Sequence, residues 1–134
     1  MARITPFLRH VLLGDALFAL SGVILMLPGA PFLAPLTGLP SGLLAGAGLL
    51  LLPFAATVGL LARKADVPAP LLTGIIVIEA LWAAASIGLL LSPYVTPNGL
   101  GVAFVAGQAL VTAVFAQLLL MAVRRHAAAQ PSTT

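Results

Sequence analysis

The sequence predicts an all-α protein, a bundle of four transmembrane helices made of two repeated helical hairpins. Three observations predict it. Hydrophobic residues make up 61% of the 134-residue chain and charged residues 7%, whereas soluble domains carry about 25% charged residues. Four apolar stretches each supply the roughly 20 residues, rising about 1.5 Å apiece, that span a hydrocarbon core of about 30 Å. All six Lys and Arg residues sit in three clusters at the ends of those stretches. The composition excludes a water-soluble globule, and it excludes disorder, which needs low hydrophobicity. The absence of cysteine excludes disulfides, thiol redox relays, thiolate zinc sites and cysteine-bound iron–sulfur clusters. Runs such as Leu49-Leu50-Leu51-Leu52 lack the alternation of a membrane β-barrel strand.

The first span covers residues 7–27. Thr5-Pro6 precedes it, an N-cap followed by proline at the first helical position. Arg3, Arg9 and the apolar run resemble a signal peptide. Asp15 interrupts the run, however, its length exceeds an h-region, and Pro31 would follow the cut, so the span is expected to be retained. The connection Pro28–Ser41 interleaves Pro28, Pro31, Pro35 and Pro40 with Phe32, Leu33, Leu36 and Leu39. It is too broken for a long helix and too apolar for water. It reads as a folded-back loop in the membrane interface, or as a lid over an external cavity.

The second span covers residues 42–62, with Ser41 as its cap. Gly42-x-x-x-Gly46 has the small-residue spacing that lets helices approach closely. Pro53 cannot donate to the Leu49 carbonyl and is expected to bend the helix round its neighbours. Pro68 and Pro70 introduce the third span, residues 71–91. Asn98 caps the fourth, residues 99–123. Residues 1–126 therefore form one four-helix membrane domain, and 127–134 an expected disordered tail.

The basic clusters set direction. Arg3 and Arg9 begin span one, Arg63 and Lys64 follow span two, and Arg124 and Arg125 follow span four; the other two connections carry no charge. Cytoplasmic loops collect Lys and Arg, so both termini and the central loop are expected on the cytoplasmic side of a bacterial inner membrane. The isoelectric point near 10.8 is then a topology signal. Lipid is the expected partner and nucleic acid is not.

Asp15-Ala16-Leu17-Phe18-Ala19 in span one matches Glu79-Ala80-Leu81-Trp82-Ala83 in span three. Pro40-Ser41-Gly42-Leu43 matches Pro97-Asn98-Gly99-Leu100, and each of those spans ends on a basic pair. Two equivalent hairpins would pack about a pseudo-twofold axis along the membrane normal.

Asp15 and Glu79 need a reason, because a charge in mid-membrane costs about 3 kcal/mol on insertion scales. Both fall roughly 10 Å into the half nearer the termini, at about 1.5 Å per residue. Gln117 and Thr57 return to a similar level, giving one polar group per helix. The bland reading is interhelical hydrogen bonding, about 0.6 kcal/mol per bond. The sharp reading is a site in which two neighbouring acids share a proton or bind a cation. Phe18 and Trp82 lie one turn from the acids, where an aromatic fills core or flanks an organic cation. Gln108 and Thr112 form a second polar pair. Gln108 and Gln117 are nine residues apart and face opposite ways, so they cannot both look at one site, and one is expected to face a neighbouring subunit. His10 and His126 lie at the cytoplasmic edge. No metal site, haem or other cofactor is expected, and no catalytic constellation sits at a workable depth.

Leu13-Gly14-Asp15-Ala16, Gly48-Leu49 through Pro53-Phe54-Ala55-Ala56, Ala80-Leu81-Trp82 through Ser86, and Leu100-Gly101-Val102-Ala103-Phe104 through Gln108-Ala109 resemble a group of small bacterial four-helix integral membrane proteins whose function is unassigned. In layout alone the chain also looks like the DoxX-like proteins. The resemblance implies architecture only; the group usually carries asparagine in place of Glu79. Small multidrug transporters fit poorly, since their key acid is a span-one glutamate. The leading functional expectation is a non-enzymatic inner-membrane bundle, a homo-oligomer or accessory subunit of a larger membrane complex. The alternative is proton-linked binding or transport of a small apolar or cationic molecule through Asp15 and Glu79. An enzyme acting on a lipid-soluble substrate is the weakest reading.

Overall fold

A computed structural model describes residues 2–129. The helices are α1 (Pro6–Met26), α2 (Ala30–Thr37), α3 (Ser41–Leu61), α4 (Ala69–Leu91) and α5 (Gly99–Ala129). The two-residue strands β1 (Ala2–Arg3) and β2 (Asp66–Val67) pair antiparallel, Ala2 opposite Val67. Four helices, all but α2, are long and apolar enough to cross a membrane. The chain is a multi-pass all-α membrane bundle. α5 continues through Ala129, so residues 127–129 are helical where a disordered tail was expected. Alanine, the strongest helix former, prolongs the last turn; residues 130–134 lie outside the described part.

Helix ends follow local chemistry. The Thr5 hydroxyl accepts from the Leu8 amide at 3.2 Å, with Pro6 in the first turn. The Asn98 carboxamide oxygen accepts from the Gly101 amide at 2.8 Å. Ser41 is not a cap. The helix starts one residue earlier than expected, at Ser41 itself, with Pro40 in the cap position and no side-chain cap.

α1 packs along α3, and α4 along α5, as two hairpins. The glycines that permit close approach are not the expected pair. A Cβ on Gly48 would lie 3.0 Å from the Leu27 nitrogen, and one on Gly22 3.2 Å from Leu51 Cδ1. Gly42 and Gly46 have nothing within 4 Å of such a Cβ. The reason is helical phase: buried Leu44, Gly48, Ala55 and Val58 define the packed stripe of α3, and Gly46 falls on the opposite side from Leu44. Pro53 is likewise exposed, and α3 runs through it without interruption.

Two dry plugs close the bundle. At the end bearing the termini, Leu8, Leu12, Val58, Leu61, Leu72 and Leu119 pack together. There Ile4 N–H donates to the Ala65 carbonyl at 2.9 Å. The Arg9 guanidinium donates to the carbonyls of Ala62 (2.8 Å) and Lys64 (3.1 Å), satisfying acceptors that the end of α3 leaves free. The Arg125 guanidinium lies 5.0 Å over the Phe7 ring.

At the other end, Met26, Ala30, Leu39, Leu44, Val95 and Val105 form the second plug. The proline-rich connection folds back there as α2. Asn98 holds it, donating through its backbone to the Thr37 carbonyl (3.0 Å) and through its side chain to the Leu36 carbonyl (2.8 Å). Outward faces carry exposed leucine and isoleucine, such as Leu17, Ile24, Leu50 and Leu81, as a lipid-facing surface requires.

The hairpins meet unevenly. α1 touches α5, but α3 and α4 make little contact. A strict twofold would make those two junctions equal. The departure leaves a cleft between α3 and α4.

Candidate functional site

Between the two plugs lies a cavity of about 330 Å³ whose lining includes Asp15 and Phe18 from α1, Leu50 and Phe54 from α3, and Glu79 and Trp82 from α4. Gln108 and Thr112 of α5 complete its polar edge. Asp15 and Glu79 are each 2% exposed. Both residues line this one cavity, one from each hairpin. No N–H or O–H among the described residues donates to Asp15 Oδ2 or to either Glu79 oxygen. The matching positions of the two hairpins thus border the same cavity.

The rest of the site is a clasp between α4 and α5. The Trp82 indole N–H donates to Gln108 Oε1 at 2.9 Å. The Gln108 amide nitrogen donates to Ser86 Oγ at 2.8 Å and to the Val105 carbonyl at 3.0 Å. The Ser86 hydroxyl donates to the Trp82 carbonyl and the Thr112 hydroxyl to the Gln108 carbonyl, each at 2.8 Å. These groups satisfy one another and leave the carboxyls unserved. Phe18 leans toward Phe115, ring centres 6.0 Å apart, and walls the cavity on the α1 side.

Four of the six expected site residues, Asp15, Phe18, Glu79 and Trp82, come together here. Two do not. Thr57 is exposed and its hydroxyl donates back to the Pro53 carbonyl at 2.8 Å. Gln117 is exposed on α5. Both share the acids' depth and miss their direction. Buried Val105, Ala109, Thr112, Ala116 and Leu119 set the inward stripe of α5; Gln108 borders the cavity and Gln117 falls on the far side. The glutamine pair signalled that one of the two must point away, and the burial stripe identifies which. Among the described residues no group of three His, Asp or Glu could hold a metal ion.

Leu50 and Ile78, which border the cavity from α3 and α4, are exposed. The cavity therefore opens toward the lipid-facing surface through the α3/α4 cleft. Chemically it is a mostly apolar chamber with two bare carboxyls at one wall. That arrangement suits a molecule bringing hydrogen-bond donors or positive charge. No family model matches this chain, and neither a curated protein nor a solved structure matches it.

Proposed function

We propose that the chain is a non-enzymatic integral membrane protein that binds or transports a small lipophilic cation, coupled to protons at Asp15 and Glu79. One observation carries the reading: three buried carboxyl oxygens, without a hydrogen-bond partner among the described residues, belong to two residues that line an apolar cavity reaching toward the bilayer side. Interhelical glue would have paired those oxygens, because an unpartnered buried acceptor costs about 1–3 kcal/mol. A buried carboxyl with no counter-charge favours its protonated form, so a cation that enters can displace a proton from either acid, which makes binding proton-linked.

Trp82, the sole tryptophan, reports on the chamber it lines. Hexylamine added to the purified chain in detergent is expected to change Trp82 fluorescence saturably. The double variant Asp15→Asn/Glu79→Gln is expected to keep the helical circular dichroism and lose that response. An undiminished response in the folded double variant refutes the proposal.

A second reading, as a homo-oligomer or a subunit of a larger complex, is supported by Gln117. Its amide makes no hydrogen bond among the described residues and faces outward from a membrane helix, where a partner helix would serve it. The native chain lacks cysteine, so Gln117→Cys offers a single crosslinking position. Oxidation in membranes should yield a crosslinked dimer, and a strictly monomeric product refutes self-association through this face. The basic clusters support cytoplasmic termini in a bacterial inner membrane.

A further inference from the structure

Resting on that reading, we infer that the ligand is a single-chain amphiphilic primary amine, its ammonium on the Asp15/Glu79 pair and its hydrocarbon tail in a second chamber between α3 and α4. This chamber measures about 650 Å³ and lies toward the α2 end of the bundle. Gly42 and Gly46 of α3 floor it and Leu89 of α4 faces them. Met26, Leu50, Trp82, Phe104 and Gln108 line both chambers, so the two adjoin at the tryptophan.

Their chemistry differs. No ionisable residue lines the second chamber. Its polar side chains, Ser86 and Gln108, are already bonded to each other at 2.8 Å. A charged head has one place to go, and a hydrocarbon tail has the other. The head is specified further. Asp15 Oδ2 and both Glu79 oxygens lack donors, and a primary ammonium carries three N–H donors. A quaternary ammonium carries none and would leave every acceptor bare. The Trp82 N–H is committed to Gln108, so Trp82 offers the ligand ring carbon, which attracts a cation.

Entry is sideways. The plug around Leu12, Val58, Leu72 and Leu119 blocks the end bearing the termini. The α3/α4 cleft lets the tail arrive from among lipid chains, with no need to cross water. A tail moving from lipid into an apolar chamber gains little from leaving water, so the chamber selects by shape and the carboxyls by donors.

The experiment uses the full chain in lipid nanodiscs, read by Trp82 fluorescence, with hexylamine, dodecylamine, dodecyltrimethylammonium and dodecanol as probes. Dodecylamine is expected to bind more tightly than the quaternary amine and the alcohol by about tenfold or more, which is about 1.4 kcal/mol. Gly46→Leu should fill the second chamber without disturbing the fold, because a Cβ at Gly46 meets nothing within 4 Å. Comparing each probe between variant and wild type cancels partitioning into lipid. Hexylamine should bind the variant as it binds wild type, and dodecylamine should bind it about tenfold more weakly. Gly42→Leu supplies the same test where Gly46→Leu fails to fold. Equal binding of the quaternary and primary amines overturns the head assignment. Dodecylamine binding untouched by either glycine variant overturns the tail assignment and leaves the chamber to bilayer lipid. In both cases hexylamine still binds and the proposed function stands; loss of hexylamine binding in wild type defeats both.

Discussion

Replacing Gln108 with leucine isolates the clasp that divides the two chambers. The side chain joins α4 to α5 through two bonds, from Trp82 Nε1 at 2.9 Å and to Ser86 Oγ at 2.8 Å. Interhelical bonds in a membrane average about 0.6 kcal/mol, so the two together are worth about 1.2 kcal/mol. Leucine also strands the indole N–H, and an orphaned donor adds about 1 kcal/mol or more. The sum is about 2 kcal/mol of bundle stability. Leucine is similar in volume, so little of this loss would come from a cavity. Reversible unfolding in mixed detergent, followed by circular dichroism, measures the difference. Tryptophan emission is an independent reading, because losing its hydrogen-bond acceptor should shift the emission of the sole tryptophan to shorter wavelength. Gln108→Glu, which keeps an acceptor for the indole, should preserve the emission. If Gln108→Leu leaves both stability and emission unchanged, the clasp between α4 and α5 does not exist as described.

Other consequences follow from named contacts. Gly101→Ala should destabilise the chain by about 2 kcal/mol through overpacking, because its Cβ would sit 2.8 Å from Pro97 Cβ and hard against the Thr37 carbonyl oxygen. Gly42→Ala, with open space around it, should be neutral or better in the same unfolding assay. Arg9→Ala should release the carbonyls of Ala62 and Lys64 and cost about 1–2 kcal/mol, since hydrogen bonds to charged groups are the stronger ones. Faster hydrogen exchange at the Ile4 amide would register that loss. Arg9→Lys should recover only part of it, because an ammonium cannot fork to two carbonyls as a guanidinium does. Reporter fusions after Arg63 and at the C-terminus should report the same compartment, and opposite sides would contradict an even number of crossings.

The fold was legible because it follows from length. An uninterrupted apolar run has no soluble alternative, so span positions agree with the observed helices to within a residue or two, except where alanines prolong α5. The site was legible in part. Asp15 and Glu79 stood out because charge in lipid demands an explanation, and their matching positions in the repeat implied that they would meet. Thr57 and Gln117 were chosen by depth, and depth is only one coordinate of a helix. The other is rotation, and a segment that is apolar on every side gives rotation almost no trace in sequence. Gly42 and Gly46 mislead for the same reason. The spacing of a close-packing motif is present, but Gly48, a half-turn round, occupies the stripe against α1. The α3/α4 cleft could not be read from sequence, because repeats that look equal do not announce where their symmetry fails.

That failure has a consequence for how the protein trades with its surroundings. Had the halves mated evenly, the bundle would offer lipid two identical doorways or none. With α1 drawn against α5 and α3 parted from α4, one flank is packed more closely than the other, so under the proposed function a ligand would reach the acids from the more open side. A neighbour that leaned on that flank would cover this opening while touching neither Asp15 nor Glu79.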